Sequence, residues 1–341
     1  MRIDGSGNRD KEAVLIRSQV AGGLRKAGLG IEMFTHDEML DIHYATVEVL
    51  EKTGLWVEDE EALDIFSDGG CWVDRASHKV RIPETVLEEC IRSAPRKVVL
   101  CGRDPSKDVV LEGWRVTYTN FAEGVKTIDP YTGELRPSIK QDVADIAKLV
   151  DWCDQIDVYT IAVTATDVPP DAAEAHLIQE SLANTTKPIC GLPLGHHGAD
   201  LMIDAAAIVA GGHDKLRERP MLEFLSCPVS PLKLMGEFTG CIISAARAGI
   251  PALVLSMAMA GGSSPVTLAG TLVTHNAEVL GGIVLAQLAE RGCPCIYGSS
   301  TTAFDLRRAA ATVGTPECAL INAAVPALAR FYELPSYVAG A

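Results

Sequence analysis

Short apolar runs rich in β-branched residues recur through the last two thirds of the chain. They cover Arg115–Thr119, Val158–Val163, Pro188–Leu192, Met221–Leu225, Ala252–Leu255, Cys295–Gly298 and Ser336–Ala339, and their starts lie 30 to 43 residues apart. Between them the apolar positions switch to helical spacing, over Gln141–Asp151, Ala172–Asn184, Ala199–Ala210, Lys233–Ala248, Pro265–Arg291 and Pro316–Tyr332. Strand and helix alternating at this interval predict βα units on a parallel sheet. Seven strands without a dinucleotide fingerprint favour a TIM-type (β/α)8 barrel over a doubly wound sheet. The seventh run reaches the last residue, so the barrel is expected to be incomplete at the C-terminus, with two unpaired edges.

The pattern before Trp114 is different. Residues 1–32 are polar and Gly-rich at both ends and are expected to be peripheral. Thr35-His-Asp-Glu38 reads as a capping box ahead of Met39, Ile42, His43, Thr46, Val47 and Leu50, which recur at helical spacing up to Gly54. A short helix over 59–67, a hairpin from Cys71-Trp-Val and Lys79-Val-Arg-Ile, a helix opened by Pro83 and a strand over Lys97–Cys101 follow. Residues 1–112 are therefore expected to form a small N-terminal α+β segment, and residues 113–341 the truncated barrel.

Charge narrows the function classes. Thirty Lys and Arg face 45 Asp and Glu, a net charge of −15 with no basic stripe, which argues against a nucleic-acid partner. The ten cysteines are scattered without a C-x-x-C pair and read as buried small hydrophobes. The N-terminus, MRIDGSGNRDKEAV, has no apolar core of a signal peptide. No run of 18 apolar residues is free of polar interruption, so no membrane span is expected. A reducing, cytoplasmic setting is the expectation.

A parallel barrel carries its chemistry at the carboxyl ends of its strands. Those ends here are Asn120–Glu123, Thr164–Thr166, Pro193–Gly195, Ser226–Pro231, Ser256–Gly262, Ser299–Thr302 and Gly340-Ala341, small and rich in hydroxyls. Phe121, Ser226, Tyr297 and Ser299 are the candidate substrate contacts. Glu223 is the one carboxylate inside the fourth apolar strand, and alternation puts it on one face with Met221 and Leu225. A carboxylate facing a barrel lumen is costly unless partnered or functional, so Glu223 is the first catalytic candidate. Thr271, His275 and Glu278 recur at i, i+4 and i+7 on an otherwise apolar helix. They are read either as a solvent face or buried network, or as polar groups shaping the pocket, with His275 and Glu278 as further catalytic candidates. Gly261, Gly262 and Ser263, at a helix start expected at Ser264-Pro265, offer backbone N–H groups to an anion or cofactor. His196-His197 reads as a surface turn, and no metal site is expected. Lys126, Lys140, Lys187 and Lys233 fall in loops or helix flanks, which disfavours a Schiff-base aldolase.

Several motifs coincide with one family. Met33-Phe-Thr-His-Asp-Glu-Met, Ile128-Asp-Pro-Tyr-Thr-Gly133, Ser264-Pro-Val-Thr-Leu-Ala-Gly-Thr-Leu with Asn276-Ala-Glu-Val-Leu, Ile296-Tyr-Gly and Gly314-Thr-Pro-Glu317 resemble the trimethylamine:corrinoid methyltransferases from about residue 33 onward. The resemblance implies a cytoplasmic, oligomeric TIM-like barrel of methylamine metabolism in methanogenesis. It also implies methyl transfer from trimethylamine to the Co(I) corrinoid (cobalamin) of a small partner corrinoid protein, with no cofactor held tightly by the barrel itself. In the trimethylamine branch a pyrrolysine encoded by an amber codon falls close after the Pro-Ser-x-x-(A/G)-Gly stretch. It is therefore expected just beyond Ala341, with this chain inactive without it. A betaine-type corrinoid methyltransferase fragment and a catalytically silent barrel fragment are the alternatives.

Overall fold

The structure, a computed structural model, describes residues 33–122 and 124–339. The expectations for residues 1–32, Glu123, Gly340 and Ala341 lie outside the described residues. The centre is a six-stranded parallel sheet of β1 (Tyr159–Thr160), β2 (Ile189–Gly191), β3 (Leu222–Ser226), β4 (Ala252–Ser256), β5 (Cys295–Ser299) and β6 (Ser336–Val338). Each strand pairs with its neighbour in the chain, so spatial order follows sequence order without a reversal. That is the order of a barrel wall, whereas a doubly wound sheet changes direction at a switch point. The sheet curls into a half-barrel. The run expected as a first strand, Arg115–Thr119, is reduced to a single parallel bridge between Thr119 and Val158, with a second between Gly124 and Val163.

The two faces of the sheet are both covered, which is why the strands read as unbroken apolar runs. On the convex side Leu222, Phe224, Ala252, Val254, Cys295 and Tyr297 join the main buried cluster with the helices. On the concave side Cys190, Leu225, Leu253, Leu255 and Ile296 form a second cluster with Val98, Leu100 and Val109. Those last three belong to an antiparallel pair, Val98–Leu100 with Val109–Leu111, which plugs the lumen near the start of the strands. The Cys101 N–H donates to the Pro220 carbonyl just ahead of β3 at 2.9 Å, anchoring the plug.

The helix Leu268–Ala289 is the longest of the described elements. Its length and composition would suffice to cross a membrane, yet most of it is buried inside the protein. It serves as a core element because its glycines let neighbours approach. A Cβ on Gly281 would stand 2.4 Å from Leu55 Cδ1, and one on Gly282 2.7 Å from Val254 Cγ1 and 2.8 Å from Phe238 Cζ. The elements before residue 112 pack on this same helix, through helices His36–Glu48, Glu60–Asp68 and Glu84–Ser93. Leu55–Val57 also pairs in parallel with Lys233–Leu234, so one buried cluster runs through both parts of the chain. The Thr35 capping box forms with both reciprocal bonds, and the hairpin Trp72–Asp74 with Lys79–Arg81 is present.

Candidate active site

Alternation along β2 to β6 decides which side chains enter the lumen. Pairing in register sets Thr160 beside Cys190 and Cys190 beside Glu223. The Thr119 and Thr160 hydroxyls are 2.6 Å apart, and the Cys190 thiol donates to Glu223. A single polar row thus crosses four neighbouring chain segments on an otherwise apolar concave face. Tyr337 on β6 approaches the same region, and its hydroxyl is held protonated by burial and then by Cys190 and Glu223.

Glu223 is 3% exposed. Burial pushes its carboxyl up to about 7, opposed only by the hydrogen bond from Cys190. Removing a carboxylate from water penalises the charged form, and no cation stands nearby to offset this among the described residues. The same burial raises the Cys190 thiol well above its ordinary range, so the thiol stays a neutral donor. A carboxyl that takes up and gives up a proton near neutrality, inside a barrel lumen, is the arrangement expected of a general acid or of a counter-charge to a cation.

The other sequence candidates lie elsewhere. His275 and Glu278 sit on the convex side, and the structure does not bring them to Glu223. The His275 Nδ1 is 3.2 Å from the Thr301 hydroxyl, its ring meets Tyr297 edge-on at 5.3 Å, and burial lowers its pKa to about 3. Glu278 accepts from the Ser256 hydroxyl at 2.6 Å, the Ser230 hydroxyl at 2.8 Å and the Leu232 N–H at 3.0 Å. It ties the loop after β3 to the end of β4. Thr271 bonds the Pro265 carbonyl at 2.7 Å and the Ser264 hydroxyl at 2.9 Å. The polar stripe is therefore a buried network behind the sheet, not a solvent face, with His275 Nε2 left without a hydrogen-bond partner among the described residues.

Three candidate substrate contacts also turn away from the lumen. Tyr297 is fully buried and donates to Asn276 Oδ1 at 2.7 Å, within a network that includes Tyr332 and Thr46. Ser226 bonds the Cys241 thiol on the helix Gly236–Ala248. Ser299 accepts from the Thr301 N–H at 3.1 Å. The odd-numbered residues of β5 and the even-numbered residues of β3 face the helices, which a strand's two-residue period makes unavoidable once Ile296 and Glu223 face inward. Phe121 lies at the sheet edge and is 84% exposed. Neighbouring Asn120 is clamped to β1 through Thr160 N–H at 3.0 Å and the Thr160 carbonyl at 2.7 Å.

The Gly261-Gly262-Ser263 segment does not offer an anion cradle. The Gly261 N–H donates to the Ser264 carbonyl and the Gly262 N–H to the Met259 carbonyl, while Ser263 Oγ accepts from the Met259 N–H. The two glycine N–H donors are thus spent on their own turn. The helix starts three residues later than expected, at Leu268, where the Thr267 hydroxyl accepts from the Gly270 N–H. Among the described residues no group of three or more His, Cys, Asp or Glu is placed to hold a metal ion.

Sequence reasoning found Glu223 but missed Cys190, Thr160 and Tyr337. The central residue of Ile189-Cys190-Gly191 was open to the same alternation argument. The register that sets it beside Glu223 was not.

The fold and site thus define an α/β protein built on a barrel wall, with one titrating carboxyl buried in its lumen. The sequence profile of the trimethylamine methyltransferase (MTTB) family matches residues 2–341, and the chain belongs to that family. It is 48% identical over 326 residues to trimethylamine methyltransferase MttB of Desulfitobacterium hafniense (strain DSM 10664 / DCB-2), covering 95% of this chain and 66% of that protein. Identity to the glycine betaine methyltransferase of Desulfitobacterium hafniense (strain Y51) is 34% over 310 residues, covering 90% and 64%. The chain therefore spans about two thirds of the length of these relatives. The crystal structure of the Methanosarcina barkeri monomethylamine methyltransferase (MtmB) overlays with a TM-score of 0.53 at 12% identity, covering 96% of this chain and 71% of that one, which establishes a shared fold.

Proposed function

We propose that the protein takes part in methyl transfer from trimethylamine to a corrinoid carried by a partner protein, and that Glu223 is the lumen carboxyl serving that reaction. The observation that carries the proposal is the buried, near-neutral carboxyl of Glu223 in a member of this family. A corrinoid in its reduced state supplies a cobalt nucleophile strong enough to accept a methyl group. The rim above Glu223 suits such a flat, largely apolar acceptor. Leu194, Val229 and Met257, just past the carboxyl ends of β2, β3 and β4, are exposed apolar residues.

The chain's own residues have a definable task. A methylated nitrogen must carry positive charge when its C–N bond breaks, so that it leaves as a neutral amine. Protonated, Glu223 is a proton donor; ionised, it is a counter-charge in a water-poor lumen where such charge counts most. Cys190 and Thr160 hold the carboxyl on the concave face through the row described above. The higher identity to the trimethylamine enzyme than to the betaine enzyme favours trimethylamine over an already quaternary substrate. The test is to mix the protein, produced from its native gene, with a cobalt(I) corrinoid protein and either trimethylamine or glycine betaine. Loss of the cobalt(I) absorbance is then followed. Methylation from trimethylamine alone is expected; methylation from glycine betaine alone, or from neither, would overturn the proposal.

A further inference from the structure

Cys190 and Glu223 face one another in register across β2 and β3. Each of these strands is paired on both sides, so neither residue lies at an edge of the sheet. Both side chains are out of water, Cys190 completely and Glu223 at 3% exposure. The cluster around Cys190 is apolar, with Leu225 and Leu253 from the sheet and Val98, Leu100 and Val109 from the plug. The other titratable groups that act on the thiol or share its surroundings are Cys227 at the end of β3 and Tyr337 of β6. No Lys, Arg or His acts on Glu223 among the described residues. The thiol is thus the contact that favours the ionised carboxyl over the protonated one.

The direction of that contact is set from behind. The Thr160 hydroxyl donates to the Cys190 sulfur. A hydroxyl carries one proton, so Thr160 accepts from Thr119 in their 2.6 Å contact. The single thiol proton is left for Glu223. The row of donors is therefore polarised toward the carboxyl, and each bond strengthens the next. A donor binds a carboxylate more tightly than a neutral carboxyl, so this row opposes the effect of burial on Glu223.

We propose that Cys190 is a positioning residue whose thiol, donating across the β2–β3 pair, controls when Glu223 holds its proton and so whether the lumen offers an acid or a counter-charge. Its part in turnover rests on the reading of Glu223 given above; its part in the proton equilibrium does not. The experiment uses the protein produced from its native gene and follows the protonated-carboxyl band of its infrared spectrum against pH. Glu223 is identified as the difference from Glu223→Gln made in the same background. Cys190→Ala removes the donor and should raise the midpoint by at least about half a pH unit, roughly a 3-fold gain in proton affinity. Cys190→Ser keeps a donor of similar size and should hold the midpoint at or below that of the wild type. Both changes are small, and circular dichroism checks that each variant folds. A midpoint unmoved or lowered in folded Cys190→Ala, or raised equally by Ala and Ser, would overturn the proposal. The apparent pKa in kcat/KM for trimethylamine should follow the infrared midpoint across the wild type and both variants. A midpoint that shifts under an unshifted rate profile would support the Cys190–Glu223 coupling and count against the role of Glu223 in methyl transfer.

Discussion

Replacing Glu223 by Gln keeps the shape of the side chain and removes its proton equilibrium. Between pH 4.5 and about 7 the folded protein holds a proton on Glu223 that the unfolded chain has already released. The folded state then binds more protons, so this residue's contribution to stability falls as pH rises through that window and is constant above it. At 1.36 kcal/mol per pH unit the loss amounts to about 3 kcal/mol. Burial at 3% exposure leaves little solvent screening to reduce it. His275 titrates in part of the same range with the opposite sign, so the wild-type profile alone is not diagnostic. The difference between wild type and Glu223→Gln isolates the effect. Urea unfolding followed by circular dichroism across the window should show the variant gaining on the wild type by about 3 kcal/mol from its acid to its neutral end. A difference that does not change with pH would mean that Glu223 titrates like a solvated carboxyl, and the lumen reading would fall with it.

Three further outcomes follow from named contacts. His275 stays neutral in the folded state, so stability should be full above pH 6.5 and fall as pH drops toward about 3. His275→Gln should flatten that acid limb in the same unfolding assay. Glu278→Ala strands two hydroxyls and the Leu232 N–H, and should cost about 3 kcal/mol or more in urea unfolding, with little loss expected from a surface change such as Glu218→Ala. Gly282→Ala forces a methyl against Val254 and Phe238 and should destabilise by about 1–3 kcal/mol, measured as a lowered urea midpoint.

How far the sequence revealed this molecule depends on the range of the interaction. β2 to β6 were legible because strands buried on both faces are unbroken apolar runs, and the helices between them were placed to within a few residues. Arg115–Thr119 shares their β-branched residues but is interrupted by Arg115, Thr117 and Thr119, and it lies at the sheet edge, where one bridge is all that pairs with it. The start of the long helix moved because Thr267 outcompeted Ser264, whose neighbours close a turn of their own. Glu223 was found by alternation alone. Tyr297, Ser226 and Ser299 were misplaced because strand ends were read as a set, without asking which face each residue takes. The partners of His275 and Glu278 come from 22 to 48 residues away, beyond what helical spacing encodes. Eight cysteines are buried as expected, while Cys153 and Cys227 are partly exposed.

The central claim is that the Glu223 carboxyl serves methyl transfer, and turnover in Glu223→Gln tests it most directly. In the protein produced from its native gene, methylation of a cobalt(I) corrinoid protein from saturating trimethylamine should lose at least about 10-fold in kcat on this substitution, equivalent to about 1.4 kcal/mol. The variant should still fold and still bind the corrinoid protein. An unchanged kcat in a folded, docking-competent variant would make Glu223 a structural residue and contradict the account.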